Sequence, residues 1–376
     1  MSAVHVLGRF PPPLDGQAVA TARLADLLDE LRRVHRIDTN APEGDHVVAP
    51  GRVELARALH YLALRRTLRR HLARAPEAPV LWPSVSPSPL GHTRDLLTVA
   101  PAFGPHQPVA AVVHRGDFAR LFTSPLTSRT GRRLVRQLAA VVFLTDGLAE
   151  ACARWIPAAK RVVIPNTIDD AAIPSPQAVA RKRTERTGAG PLRLLYLSGM
   201  IPSKGFGVVL DATAVLRRRG VAVQTTFAGR WESVQAEAAF RSRVDALGLA
   251  RAVDVRGGVS RTEASALHLA ADLLMLPTQY PTEAQPLVVL EAFAAGTPVV
   301  VTRHAGLPEM VTDGTEGLFV PPADPDAIAD AVERAAEPER WAALSHAARA
   351  RFEAVYAPDV VSGQWEAFLD TLRTGP

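Results

Sequence analysis

Two carboxylates, Glu283 and Glu291, stand eight positions apart in YPTEAQPLVVLEAFAAGTPVVVT, with Pro286 between them. Proline suits the first turn of a helix, so Glu283 falls in the loop before a helix and Glu291 sits roughly 7 Å along it. The two acids therefore have different tasks. A carboxylate beside a helix N-terminus accepts sugar hydroxyls, while the backbone N–H groups of the segment Ala284, Gln285, Pro286, Leu287 and Val288, proline excepted, point toward an anion. A sugar carrying a diphosphate fits both features. The plainer reading makes Glu283 a capping acid and Glu291 a solvent-facing one. Against it, Glu291 interrupts an otherwise apolar helix, where an acid without a task is rare.

A second element, LYLSGMIPSKGFGVV, places Gly199, Lys204 and Gly205 in a short loop between a strand and a helix. A backbone turn with a lysine suits a phosphate. It lacks the Walker spacing, and taken alone Lys204 reads equally well as a solvated surface lysine. His114 ends the apolar run VAAVVH and precedes RGDF; a lone histidine at a strand end is as often structural as functional. No Asp-x-Asp motif stands in a strand-end loop, and Asp324-Pro325-Asp326 reads as the N-cap and first turn of a helix. No metal or other cofactor is expected.

The elements that position these residues follow from hydrophobic periodicity. The first half reads as strand AVHVLG, a Pro/Gly loop and a helix through Leu24, Leu27, Leu28 and Leu31, followed by strands APVLWP, VAAVVH, AAVVFLT and RVVIPN. Ala171–Pro191 is polar and basic, with three prolines and two glycines, and reads as a linker. Beyond it the alternation restarts through LRLLYLS, VQTTFAG, AVDVRG, DLLMLP, PVVVT and EGLFV, with helical segments between. Both halves are α/β with parallel sheets. The expected divisions are 1–180, 181–357 and a final helix 358–376.

Composition narrows the class. With 376 residues, 47% of them hydrophobic, the chain exceeds what one core usually organises. Its one cysteine, Cys152, forms no internal disulfide, and MSAVHVLGRFPPP has too short an apolar run for a secretory signal, so the cytoplasm is the expected compartment. The longest apolar stretch holds Glu291 and a Gly-Thr-Pro break, which a bilayer-spanning helix tolerates poorly. No Gly-x-Gly-x-x-Gly follows either opening strand, which argues against a dinucleotide dehydrogenase.

Net charge is +5, but the arginines concentrate locally. In GRVELARALHYLALRRTLRRHLARAPE, arginines at 52, 57, 65, 66, 69, 70 and 74 accompany leucines at 55, 59, 62, 64, 68 and 72 near helical spacing. SRTGRRLVRQLAA adds Arg129, Arg132, Arg133 and Arg136. Such a helix either packs on a sheet with solvated arginines or lies on an anionic membrane surface. A peripheral position on the inner membrane face is the second expectation; nucleic acid is not an expected partner.

Read together and in order, GRFPPPLDGQA, VVHRGDF, VVIPNTID, LYLSGMIPSKG, TTFAG, VDVRGGVS and the Glu283–Glu291 motif with AFAAGTPVV resemble the retaining GT-B glycosyltransferases of family 4, over nearly the whole chain. The resemblance implies two Rossmann-like doubly wound domains facing a central cleft, with the donor mainly on the C-terminal one and the final helix crossing back to the N-terminal one. It implies that Glu283 contacts the donor sugar, Glu291 the ribose, Lys204 the diphosphate and the segment from Arg256 to Val259 the base. Gly16 and His114 would face the donor from the N-terminal domain. The donor so implied is a nucleotide-sugar, a UDP-sugar ahead of a GDP-sugar. The acceptor is a lipid-linked saccharide or another envelope polysaccharide; the alternatives are a soluble acceptor and a non-catalytic nucleotide-sugar-binding subunit. Two positions depart from the pattern. Met200 stands where many relatives carry an arginine, a role Arg230 is placed to take over. Ala284 replaces a glycine, which alters the close approach of the loop to a sugar.

Overall fold

The computed structural model describes residues 3–12, 16–40, 55–104, 106–186 and 190–374. The chain divides into two compact units, Met1–Asn166 with Asp359–Pro376, and Thr167–Pro358.

The first unit holds a six-stranded sheet: β1 (Ala3–Gly8), β2 (Arg33–Asp38), β3 (Val80–Trp82), β4 (Val109–Val113), β5 (Ala140–Phe143) and β6 (Arg161–Val163), in the order β2-β1-β3-β4-β5-β6. All pairs are parallel. Apolar runs such as VAAVV form its centre because a parallel sheet is covered on both faces. Along β4 the side chains alternate: Val109, Ala111 and Val113 enter one core, Ala110 and Val112 the other. The first core is closed by helices Leu55–Leu72 and Ser128–Gln137, with helix Pro89–Thr98 beside them, and the second by helices Gly16–Asp29 and Pro358–Thr374. In the last of these, Val361, Trp365, Phe368 and Leu369 recur at helical spacing and pack with Val4, Val6 and Leu28. Arg32 fastens the arrangement through Asp370 at 2.6 Å.

The second unit repeats the plan: β7 (Leu192–Leu197), β8 (Val223–Ala228), β9 (Val253–Arg256), β10 (Leu273–Leu276), β11 (Val299–Thr302) and β12 (Gly317–Val320), in the order β12-β11-β10-β7-β8-β9. Its pairs are also parallel. The strand order reverses between β7 and β10, and ligands of open parallel sheets bind outside the carboxyl ends of the strands at such a point. The loops after β7 and β10 carry Lys204 and Glu283.

Two expectations change. The Ala171–Pro191 segment is no linker, since Pro176–Glu185 is a helix that buries Val179 and Lys182 in the second unit. Its polar composition conceals an anchor that is itself a cation: the Lys182 ammonium donates to His268 O at 3.2 Å, Ala295 O at 3.3 Å and the Thr297 hydroxyl. The chain passes from one unit to the other at Asn166–Thr167, before the expected boundary at 180.

The arginine-rich helix Leu55–Leu72 likewise has no spare apolar face over its described side chains, because Leu64, Leu68 and Leu72 are buried against the sheet. Arg66, Arg69 and Arg70 remain exposed. Positions 52–54, and the side chains of 55–62, fall outside the described residues. No described helix is long and apolar enough to cross a membrane.

Candidate functional site: a lysine–glutamate pair at the strand crossover

At the end of β7, Gly199 accepts from the Tyr196 hydroxyl at 3.3 Å and from Ile201 N at 2.8 Å, turning the chain into the short Pro202–Lys204 turn. Gly205 then takes φ +90°, and a Cβ there would lie 2.6 Å from Pro277 O. Only glycine permits both the left-handed backbone and this approach to the next loop. Gln279 N donates to Ser203 O at 2.7 Å, so the loops after β7 and β10 are stitched together.

This stitching brings Lys204 Nζ to 3.1 Å from Glu283 Oε2, with 17% and 8% of the two side chains exposed. Thr278 Oγ1 donates to the same carboxylate oxygen at 3.3 Å, and the Lys204 ammonium lies 4.9 Å from the centre of the Tyr280 ring. From the other side, Gly306 N donates to Ala284 O at 3.0 Å, and the His304 Nε2 to Tyr280 O contact is 2.8 Å. Between those two residues Ala305 holds φ +50°, a left-handed backbone that alanine rarely adopts. The Glu283 loop is thus clamped by both neighbouring loops. Ala284, Gln285 and Pro286 are buried within it. Pro286 forms the N-cap instead of the first turn, and the helix runs Leu287–Ala294 with Leu287 at its start.

Glu291 does not simply face solvent. Its side chain is 15% exposed and lies 3.6 Å from Nε2 of His268, a fully buried residue. Neither ring nitrogen of His268 forms a hydrogen bond among the described residues. Met200 is 1% exposed and belongs to the core, which explains why no cation stands there. Met200 N donates to Arg230 O at 2.9 Å, so Arg230 follows the same strand edge, with an exposed side chain. The intervening Gly229 is obligatory, since a Cβ would sit 1.8 Å from Ser198 O at φ +153°. Gly229 N also donates to Gly257 O at 3.0 Å, drawing in the loop that carries half-buried Val259. Thus Gly199, Lys204, Arg230, Val259 and Glu283 lie in the second unit toward the carboxyl edge of its sheet, while Glu291 sits further along helix Leu287–Ala294, against His268.

Gly16 and His114 belong to the first unit. Gly16 opens the helix Gly16–Asp29, and among the described residues nothing would meet a Cβ there. His114 directly follows β4, and both ring nitrogens are shut off from solvent without a hydrogen-bond partner among the described residues. Burial pushes its pKa down to about 4. The folded chain therefore resists a proton that the unfolded chain accepts near pH 6.5, so this contribution is present above pH 6.5 and is lost as pH falls toward 4. His114→Asn is expected to flatten the fall in melting temperature between pH 6.5 and 4. Asp95, raised to about 6 by burial, acts with the opposite sign, but equally in both proteins, so the difference isolates His114.

Sequence reading missed Thr278, Tyr280, His304 and His268. The first two stand in TQYPTE, at the carboxyl end of β10, where the crossover rule directs attention; nothing in the sequence marks His304 or His268. It also missed Asn40, whose Nδ2 donates to Phe10 O at 2.6 Å and Pro12 O at 3.1 Å and secures the loop after β1.

A carboxylate, an ammonium and a helix N-terminus share one edge of the sheet, and residues 181–351 match the family described as glycosyl transferases group 1. The match covers most of the second unit. Among curated proteins similar to this chain is the GDP-mannose-dependent α-(1-6)-phosphatidylinositol monomannoside mannosyltransferase of Mycolicibacterium smegmatis. It is 34% identical over 201 residues, 51% of this chain and 52% of that one. The α-D-kanosaminyltransferase of Streptomyces kanamyceticus is 30% identical over 219 residues, 56% and 55% of the two chains. The matched stretch spans about half the length of these relatives. Among solved structures, HepE of Anabaena in complex with UDP-glucose superposes with TM-score 0.71 at 16% identity, over 98% of this chain and 100% of that one. WaaG, a glycosyltransferase involved in lipopolysaccharide biosynthesis, superposes with TM-score 0.65 at 17% identity, over 100% of both. The fold of the chain is GT-B.

Proposed function

We propose that the chain is a retaining glycosyltransferase that moves a sugar from a nucleotide-sugar donor to a lipid-linked saccharide or another envelope polysaccharide acceptor. The observation that carries this reading is the Lys204–Glu283 pair at the switch point of the second sheet. Glu283 accepts donor-sugar hydroxyls and Glu291 the ribose, while Lys204 and the N-terminus of helix Leu287–Ala294 stabilise charge growing on the departing diphosphate. Oriented donors of this kind are worth several kcal/mol in a water-poor site. They supply the positive charge the diphosphate needs, so the proposal includes no metal, and chelator is expected to leave turnover unchanged. Transfer with retention proceeds by same-face displacement through an oxocarbenium-like state, with the leaving diphosphate taking the acceptor proton; family resemblance supports this step.

A UDP-sugar is the first donor expected; the GDP-mannose named for the mycolicibacterial relative favours a GDP-sugar as the second reading. Melting the purified protein with UDP, GDP, ADP and TDP tests both. One diphosphate is expected to raise the melting temperature by several degrees, an effect that Lys204→Ala abolishes; no shift with any of the four would refute a donor site here.

A further inference from the structure

One face of the first unit is strongly basic. Over one face lie the helices Leu55–Leu72, Pro89–Thr98 and Ser128–Gln137, and they are neighbours: the His92 Nε2 to Thr130 Oγ1 contact is 2.9 Å, and Arg69 donates to Pro101 O just beyond the second helix. Arg129, Arg132, Arg133 and Arg136 are exposed on a helix that contains no acid. Arg66, Arg69 and Arg70 are exposed on the first helix, whose described side chains also include no acid, and the only acid of the middle helix, Asp95, is buried. On the opposite face acids and arginines are paired: Asp26 and Asp29 with Arg36, and Asp370 with Arg32.

Large apolar side chains stand out from the basic face. Leu90 is 71% exposed, Leu97 62% and Leu126 77%. Leu90 and Leu97 are two turns apart and share a stripe with half-buried Arg94, while Leu126 precedes the arginine-bearing helix by two residues. Solvated arginines alone explain a crossover helix, but they do not explain three leucines held in water among them. A bilayer does: guanidinium groups meet anionic headgroups while leucines enter the acyl boundary.

We propose that this face of the first unit, Leu90, Leu97 and Leu126 set among the arginines of helices Leu55–Leu72 and Ser128–Gln137, docks reversibly on an anionic membrane surface. The apolar anchors are thus these three leucines and not the leucines of the arginine-rich helix, whose described members serve the core. The inference deepens the lipid-linked acceptor reading and rests on it for its biological sense.

The test is cosedimentation of the full chain with phosphatidylcholine vesicles, with and without phosphatidylglycerol, at low and high salt. Binding is expected only to the anionic vesicles and to weaken with salt. Changing Arg129, Arg132, Arg133 and Arg136 together to glutamine is expected to lower partition at least about a hundredfold. The triple change Leu90→Ser, Leu97→Ser and Leu126→Ser is expected to keep low-salt binding and lose the salt-resistant part. Arg217→Gln with Arg218→Gln, in the second unit, is expected to bind as wild type does. Equal binding to neutral vesicles, wild-type binding by the four-arginine variant, or tighter binding to RNA that the serine variant shares would each overturn the proposal. Every variant is also melted with the diphosphate that shifts wild type. A retained shift with no vesicle binding by wild type removes the docking surface and leaves the transferase, whereas a missing shift removes the transferase whatever the vesicles show.

Discussion

Glu283→Ala and Lys204→Ala each lower turnover at least about tenfold, roughly 1.4 kcal/mol of transition-state stabilisation. The ion pair explains why neither side chain is dispensable. Without Lys204 the buried Glu283 carboxylate keeps Thr278 but loses its cation, and without Glu283 the ammonium loses its carboxylate. Because the two act as a unit, the double variant is expected to lose less than the product of the single losses. Turnover of each purified variant, with a sugar of the nucleotide that stabilises the wild type, reads the effect. If both single variants keep wild-type turnover, the site lies elsewhere.

The largest effect on stability is expected at Lys182, far from any proposed chemistry. Lys182→Ala removes a buried ammonium that serves two carbonyls and the Thr297 hydroxyl, leaving a void and less-satisfied acceptors, at a cost of about 3 kcal/mol or more in denaturant unfolding. Burial pushes the Lys182 pKa down to about 7. The unfolded chain then binds the proton more tightly than the folded one, so this residue's contribution grows as pH rises from about 7 toward 10.5. Lys182→Met, which keeps the apolar stem, is expected to abolish that slope. A slope unchanged in Lys182→Met would show that the proton is held elsewhere.

Sequence alone revealed the central strands, since VAAVV and AVVF are buried on both faces and read as unbroken apolar runs. It did not reveal β2, RVHRID, an edge strand in which only Ile37 is buried. One inward side chain in six residues leaves no periodicity to detect. The helix Pro176–Glu185 was hidden for a related reason, because one of its two buried anchors, Lys182, has the residue type of a solvated surface. At the site, the glutamates and Lys204 were legible because unusual residue types interrupt apolar segments or follow strands. The clamps formed by Thr278, Tyr280 and His304 were not, because ordinary residue types form them and only the fold brings them to the pair. Met200 was legible as a missing cation, but only the structure explains it as a core side chain.

The helix Pro358–Thr374 lies in sequence after the second unit, yet it covers the sheet of the first. The order of synthesis therefore differs from the order in which the units are completed. When the ribosome has made Asn166, the first unit has all its strands, but Val4, Val6 and Leu28 still lack the cover that Val361, Trp365 and Leu369 later supply. The nascent chain carries that unsealed apolar face while all of Thr167–Pro358 is being made, at about 5 to 20 residues per second. The second unit, continuous in sequence, is free to fold first. A chaperone that binds exposed apolar surface is thus expected to act on the half of the molecule that is translated first and closed last.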